Sequence, residues 1–106
     1  MIVAFSVSPS GGPAAAVDGS VHDAVAAAVT VVRASGLPNR TSSMFTEIEG
    51  EWDEVMAVVK QATDAVAPFG TRVSLVLKAD IRPGRTGELD GKIERLEKAI
   101  DASVPS

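Results

Sequence analysis

The chain has 106 residues, a formal charge of −4 and no cysteine, with 45% hydrophobic but only 4% aromatic residues. That length holds one domain with a real core, residues 1–106, and excludes a multi-domain catalytic cleft. The ten Lys and Arg are scattered, so the basic stripe of a nucleic-acid binder is missing, and the lack of cysteine excludes disulfides, thiolate metal sites and cysteine nucleophiles.

Met1 to Phe5 is apolar but follows no positive region and stops within a few residues, too short for a signal sequence or a membrane span. The expectation is a cytoplasmic protein without membrane attachment. From Ile2 to Ser8 the pattern alternates, with Val3, Phe5 and Val7 on one face and Ile2, Ala4, Ser6 and Ser8 on the other, which predicts a half-buried strand. Pro9 to Pro13 breaks the pattern, and the Ala-rich segment to Gly19 is expected to be a loop. Neither a G-x-G-x-x-G turn nor a P-loop lysine is present, so glycine after a first strand does not make a nucleotide site here.

Ser20 to Ser35 is expected to be a helix, capped by Ser20 and ended by Gly36 and Pro38, with Val21, Val25, Ala28, Val29 and Val32 facing inward. His22, the single histidine, lies off that stripe without ligand-spaced partners and reads as a surface residue, so no metal is expected. Asn39 to Glu49 supplies one or two strands, with a hairpin bend near Ser43 to Phe45.

The stretch from Met44 to Trp52 organises the rest. Before Gly50 the side chains alternate; after it Trp52, Val55, Met56, Val59, Ala62 and Val66 recur at helical spacing, so the period changes from two to about 3.6 across one glycine. A helix from about Glu51 to Ala67 follows, stopped by Pro68 and Gly70. Glu51, Asp53 and Glu54 complement its positive end, whereas Glu47 and Glu49 precede the helix and need another reason. Thr71 to Arg82 alternates as a last strand, Pro83 to Gly87 is a polar turn, and Ile93, Leu96 and Ile100 predict a short final helix with Glu94 four residues before Lys98.

The order strand, helix, strand, strand, helix, strand, then an extra helix is that of an α+β, ferredoxin-like βαββαβ sandwich with a C-terminal addition. Both main helices then cover one sheet face. The opposite face carries Ile2, Ala4, Ser6, Ser8, Phe45, Glu47, Glu49, Ser74, Val76, Lys78, Asp80 and Arg82 with no element of the chain to cover it, which predicts a homodimer or homotetramer.

The run Met44 to Gly50, the amphipathic helix after it, and Arg72-Val73 leading to Leu77-Lys78-Ala79-Asp80-Ile81-Arg82 resemble the thiamine-binding protein family of small ferredoxin-like domains. The first strand ending in Pro9 and the Gly91-Lys92-Ile93 helix resemble it as well. The resemblance implies a non-enzymatic homo-oligomer whose ligand is thiamine or its hydroxymethylpyrimidine part, with no cofactor and no catalytic residue. Thiamine carries a thiazolium cation and a flat aminopyrimidine, which call for carboxylate, hydrogen-bonding groups and an aromatic or apolar wall. Glu47 and Glu49 supply the charge, Ser6, Ser8 and Thr46 the hydrogen bonds, and Phe45 or Met44 the stacking surface.

Two points stay open. Alternation puts Thr46 on the face opposite Phe45 and Glu47, so they line one pocket only if the hairpin bulges. Glu49 either meets ligand or pairs with Lys78 or Arg82 across the sheet or at a subunit interface. The alternative to a binding protein is a structural or regulatory oligomer with no small-molecule ligand. A binder leaves unpaired carboxylates in a concave pocket, whereas an assembly face has Glu47, Glu49, Lys78, Asp80 and Arg82 all matched. An enzyme fits less well, because one histidine beside a loop completes no Ser-His-Asp set.

Overall fold

Strand β1, Ile2–Ser10, alternates in burial along its length, and Val3, Phe5 and Val7 point into the core. In the computed structural model, which describes residues 1–11, 18–84 and 86–103, it is the strand on which the sheet is assembled. It runs two residues past the expected end at Ser8, because β4, Arg72–Asp80, pairs with it antiparallel from Ile2↔Asp80 to Ser10↔Arg72. On its other side β3, Thr46–Glu49, pairs only from Ile2↔Glu49 to Phe5↔Thr46. Strand β2, Asn39–Thr41, closes the hairpin with β3 and completes the order β2-β3-β1-β4. The bend falls where expected: the Ser42 N–H donates to the Phe45 carbonyl at 2.9 Å, and the Ser42 hydroxyl accepts from the Phe45 N–H at 3.2 Å.

Helix α1, Asp18–Ala34, and helix α2, Trp52–Val66, lie on the Val3, Phe5 and Val7 face. Helix α1 starts two residues before the expected Ser20, which therefore sits inside the helix and is not its cap. Its buried stripe is Ala24, Ala28 and Val32, while Val25 is 46% exposed and Val29 half-buried. The expected stripe was rotated because valines outrank alanines in hydropathy, whereas α1 packs closely on α2 and close helix packing favours the smallest side chains there. The side chain of Val21, and residues 12–17 of the Ala-rich segment, lie outside what is described; Asp18 and Gly19 are already helical.

Helix α2 buries Val55, Val58, Val59, Ala62 and Val66. Trp52, expected in that stripe, is the first helical residue and 54% exposed, projecting past the end of the core. Glu51 is the N-cap residue, and its N–H donates to the Glu54 carboxylate at 3.0 Å. Gly50 stands in a tight spot: a Cβ there would lie 3.1 Å from Val55 Cγ2 and 3.3 Å from the Glu54 carboxylate, so both side chains would have to give by a few tenths of an ångström. At the far end of α2, a Cβ on Gly70 would lie 2.7 Å from the Ser10 carbonyl oxygen, so only glycine lets the turn into β4 pass the end of β1.

The topology is the expected ferredoxin-like sandwich. What differs is the last helix. Helix α3, Glu88–Ser103, is 16 residues long, not short, and its N-terminal half crosses the sheet face expected to be bare. The Glu94 and Lys98 spacing makes no ion pair; Arg95 instead reaches back to Glu88 at 2.6 Å. Arg85 of the preceding turn lies outside the described residues.

Candidate functional site: a charged cleft under helix α3

Register places the polar face in rows. Glu49, Ile2 and Asp80 form one row across β3, β1 and β4; Glu47, Ala4 and Lys78 form the next, with Arg40 of β2 beyond Glu47. Ser6 pairs with Val76 and Ser8 with Ser74 further along β1.

Glu49 explains why α3 sits over these rows. It is only 5% exposed, and its two carboxylate oxygens accept from the backbone N–H groups of Glu88, at 2.7 Å, and Leu89, at 3.3 Å. N–H groups in the first turn of a helix have no intrahelical acceptor and lie at the positive end of its dipole, so a carboxylate there acts as a long-range cap. The expected partners Lys78 and Arg82 are therefore not its partners. Ion pairs Arg40–Asp90 and Lys92–Asp80 fasten α3 to β2 and β4 on either side of the cap. Leu89, 7% exposed, seals the first turn.

Between this helix and the sheet lies a cleft of about 520 Å³. Ile2, Ala4, Leu89 and Ile93 give it apolar walls; Glu47, Lys78, Asp80 and Lys92 supply its charges. Asp80 and Lys92 neutralise one another. Glu47 is half-buried and has no hydrogen bond or ion pair among the described residues.

A second, smaller hollow of about 170 Å³ opens where β3 stops pairing and the β1 edge continues alone from Ser6. Ser6, Ser8, Met44, Phe45 and Thr46 line it with Val25 and Val29 of α1, and no charged side chain takes part. Phe45 and Thr46 meet there without a bulge because the hollow lies at the strand's end, where both sheet faces open onto it. The six residues singled out from the sequence thus separate: Ser6, Ser8, Phe45 and Thr46 share the small hollow, Glu47 faces the cleft, and Glu49 holds α3. Sequence reasoning missed Leu89, Lys92 and Ile93 as cleft residues. Their only signal was the Leu89 and Ile93 spacing at i and i+4 ahead of Leu96, which marks an apolar helix face without saying what it covers.

A four-stranded antiparallel sheet with two helices on one face and an added helix on its polar face defines a small α+β domain of the ferredoxin-like class. The sequence matches the thiamine-binding protein family over residues 3–97, and the chain belongs to that family. Among its relatives, a UPF0045 protein of Mycobacterium bovis is 50% identical over 101 residues, covering 94% of each chain. A UPF0045 protein of Synechocystis is 34% identical over 85 residues, 79% of this chain and 70% of that one. A Bacillus cereus domain of unknown function, DUF77, superposes with a TM-score of 0.76 at 32% identity, over 89% of this chain and 86% of that one. A Thermotoga maritima protein described as a candidate for thiamine biosynthesis or salvage superposes with a TM-score of 0.70 at 26% identity, over 89% and 97%. No helix among the described residues is long and apolar enough to cross a membrane.

Proposed function

We propose that the chain binds thiamine or a related hydroxymethylpyrimidine compound, without catalysis, as a cytoplasmic homo-oligomer. The observation that carries this reading is Glu47: a half-buried carboxylate with no partner among the described residues, in a cleft of about 520 Å³. That volume falls in the range of about 300 to 1,000 Å³ usual for small-ligand sites. A half-buried carboxylate between apolar walls attracts a ring cation more strongly than a water-exposed one does. Glu47 is the counter-charge for a thiazolium, and Ile2, Ala4, Leu89 and Ile93 are surfaces for flat rings.

The pure assembly reading required every charge on this face to be matched. Within one chain Glu49 and Asp80 are matched, whereas Glu47, Lys78 and Arg82 have no partner among the described residues, so on the assembly reading a second copy would have to supply theirs. No serine, threonine or histidine lines the cleft, so a hydroxyl nucleophile paired with a histidine base has no residues there. Self-association is supported by apolar surface on the same face: Leu96 of α3 and Val76 of β4 are both 59% exposed, and a second copy of the chain is the occupant proposed for them.

The test is calorimetric titration with thiamine and with hydroxymethylpyrimidine, with the mass of the assembly recorded by light scattering. Micromolar saturable binding is expected, about −8 kcal/mol. Glu47→Gln should weaken thiamine by about 1 to 3 kcal/mol, while Phe45→Ala, in the small hollow, should leave it unchanged. The opposite ranking would move the site to the hollow, and no saturation in an intact oligomer would favour the assembly protein.

A further inference from the structure

The row Glu47, Ala4, Lys78 holds two unpaired charges of opposite sign on one wall of the cleft. We infer that the ligand it fits is a phosphate ester of the ring cation, with Glu47 facing the cation and Lys78 the phosphoryl group. The inference rests on the binding reading above and names the ligand class more narrowly.

Strand spacing sets the geometry. Glu47 and Lys78 are on β3 and β4, one strand to either side of β1, so their backbones stand about 10 Å apart. Ala4 between them is too short to obstruct a molecule lying across the row. The remaining cleft charges, Asp80 and Lys92, are joined to each other, which leaves one free charge of each sign.

A purely cationic ligand would satisfy Glu47 and lie facing an uncompensated lysine, a like-charge encounter that weakens it. A phosphoryl group on the hydroxyethyl arm of the thiazolium reverses that sign. It sits several bonds from the ring charge, the separation the row demands, and accepts charge-assisted hydrogen bonds from an ammonium. Each free charge of the cleft then meets an opposite charge on the ligand, the phosphoryl group carrying about −1.5 to −2 at pH 7.

Titration of the full chain with thiamine, thiamine monophosphate and inorganic phosphate tests this. The monophosphate is expected to bind roughly tenfold more tightly than thiamine, with inorganic phosphate alone far weaker. Lys78→Ala should abolish the preference and leave thiamine affinity equal or improved, and Lys78→Arg should retain it. Lys78 is exposed, so neither variant threatens the fold. Equal affinity of the wild type for both compounds, or a Lys78→Ala loss that strikes both alike, overturns the phosphate-ester inference while the binding reading stands. Failure of both compounds to bind overturns the two together.

Discussion

Replacing Glu49 by alanine should detach α3 while the rest of the domain stays folded. The carboxylate receives two backbone N–H groups, from Glu88 and Leu89, in a position 5% exposed. Loss of an ordinary N-cap costs about 0.5 to 2 kcal/mol, and hydrogen bonds to a charged acceptor contribute about 1.5 to 3 kcal/mol each before water re-enters. Alanine leaves space for that water, so the net loss is about 2 to 3 kcal/mol, confined to the docking of α3. The exposed Arg40–Asp90 pair, with side chains 45% and 71% accessible, cannot replace it. Native-state hydrogen exchange reads this directly. Protection of the α3 amides should fall by roughly 30- to 150-fold, while α1, α2 and β1 keep theirs. Glu49→Gln, which retains an acceptor oxygen, should lose about half as much free energy. If α3 protection is unchanged, or if it falls in step with α1 and α2, Glu49 is not the clasp described here.

Two further changes probe the scaffold in urea denaturation. Ile48, fully buried at the centre of β3, should cost about 2 to 5 kcal/mol as Ile48→Ala, since no neighbour can close the void without bending the sheet. Gly70→Ala should cost about 1 to 3 kcal/mol, because the added methyl meets the Ser10 backbone rather than a movable side chain; an unchanged midpoint would show that the β4 turn yields.

Strands and topology were legible because they depend on local alternation: Val3, Phe5 and Val7 announce β1, and the change of period at Gly50 announces α2. Helix faces were less so. The α1 stripe is set by how near α2 comes, which favours Ala24 and Ala28 over larger valines, and a hydropathy ranking points the other way. The site was half legible. Glu47 and Glu49 precede α2 and stand apart from its first-turn acids, yet Glu49 caps α3 while Glu47 faces the cleft, and that distinction depends on a helix beginning 39 residues after Glu49. No spacing in the sequence links a strand carboxylate to N–H groups so far along the chain. Charge alone could not show that Asp80 is taken by Lys92 while Lys78, two residues before it, is left free.

Strand β3 has only four residues and pairs with β1 over those four alone. It carries the acid on the cleft wall, Glu47, and also the clasp of the cleft's roof, Glu49. Were this strand to fray, the clasp of α3 and the position of Glu47 would be lost together. On the binding proposal, ligand residence time should accordingly follow the opening rate of this strand, and a bound ligand would act as a rivet across the short β3–β1 seam.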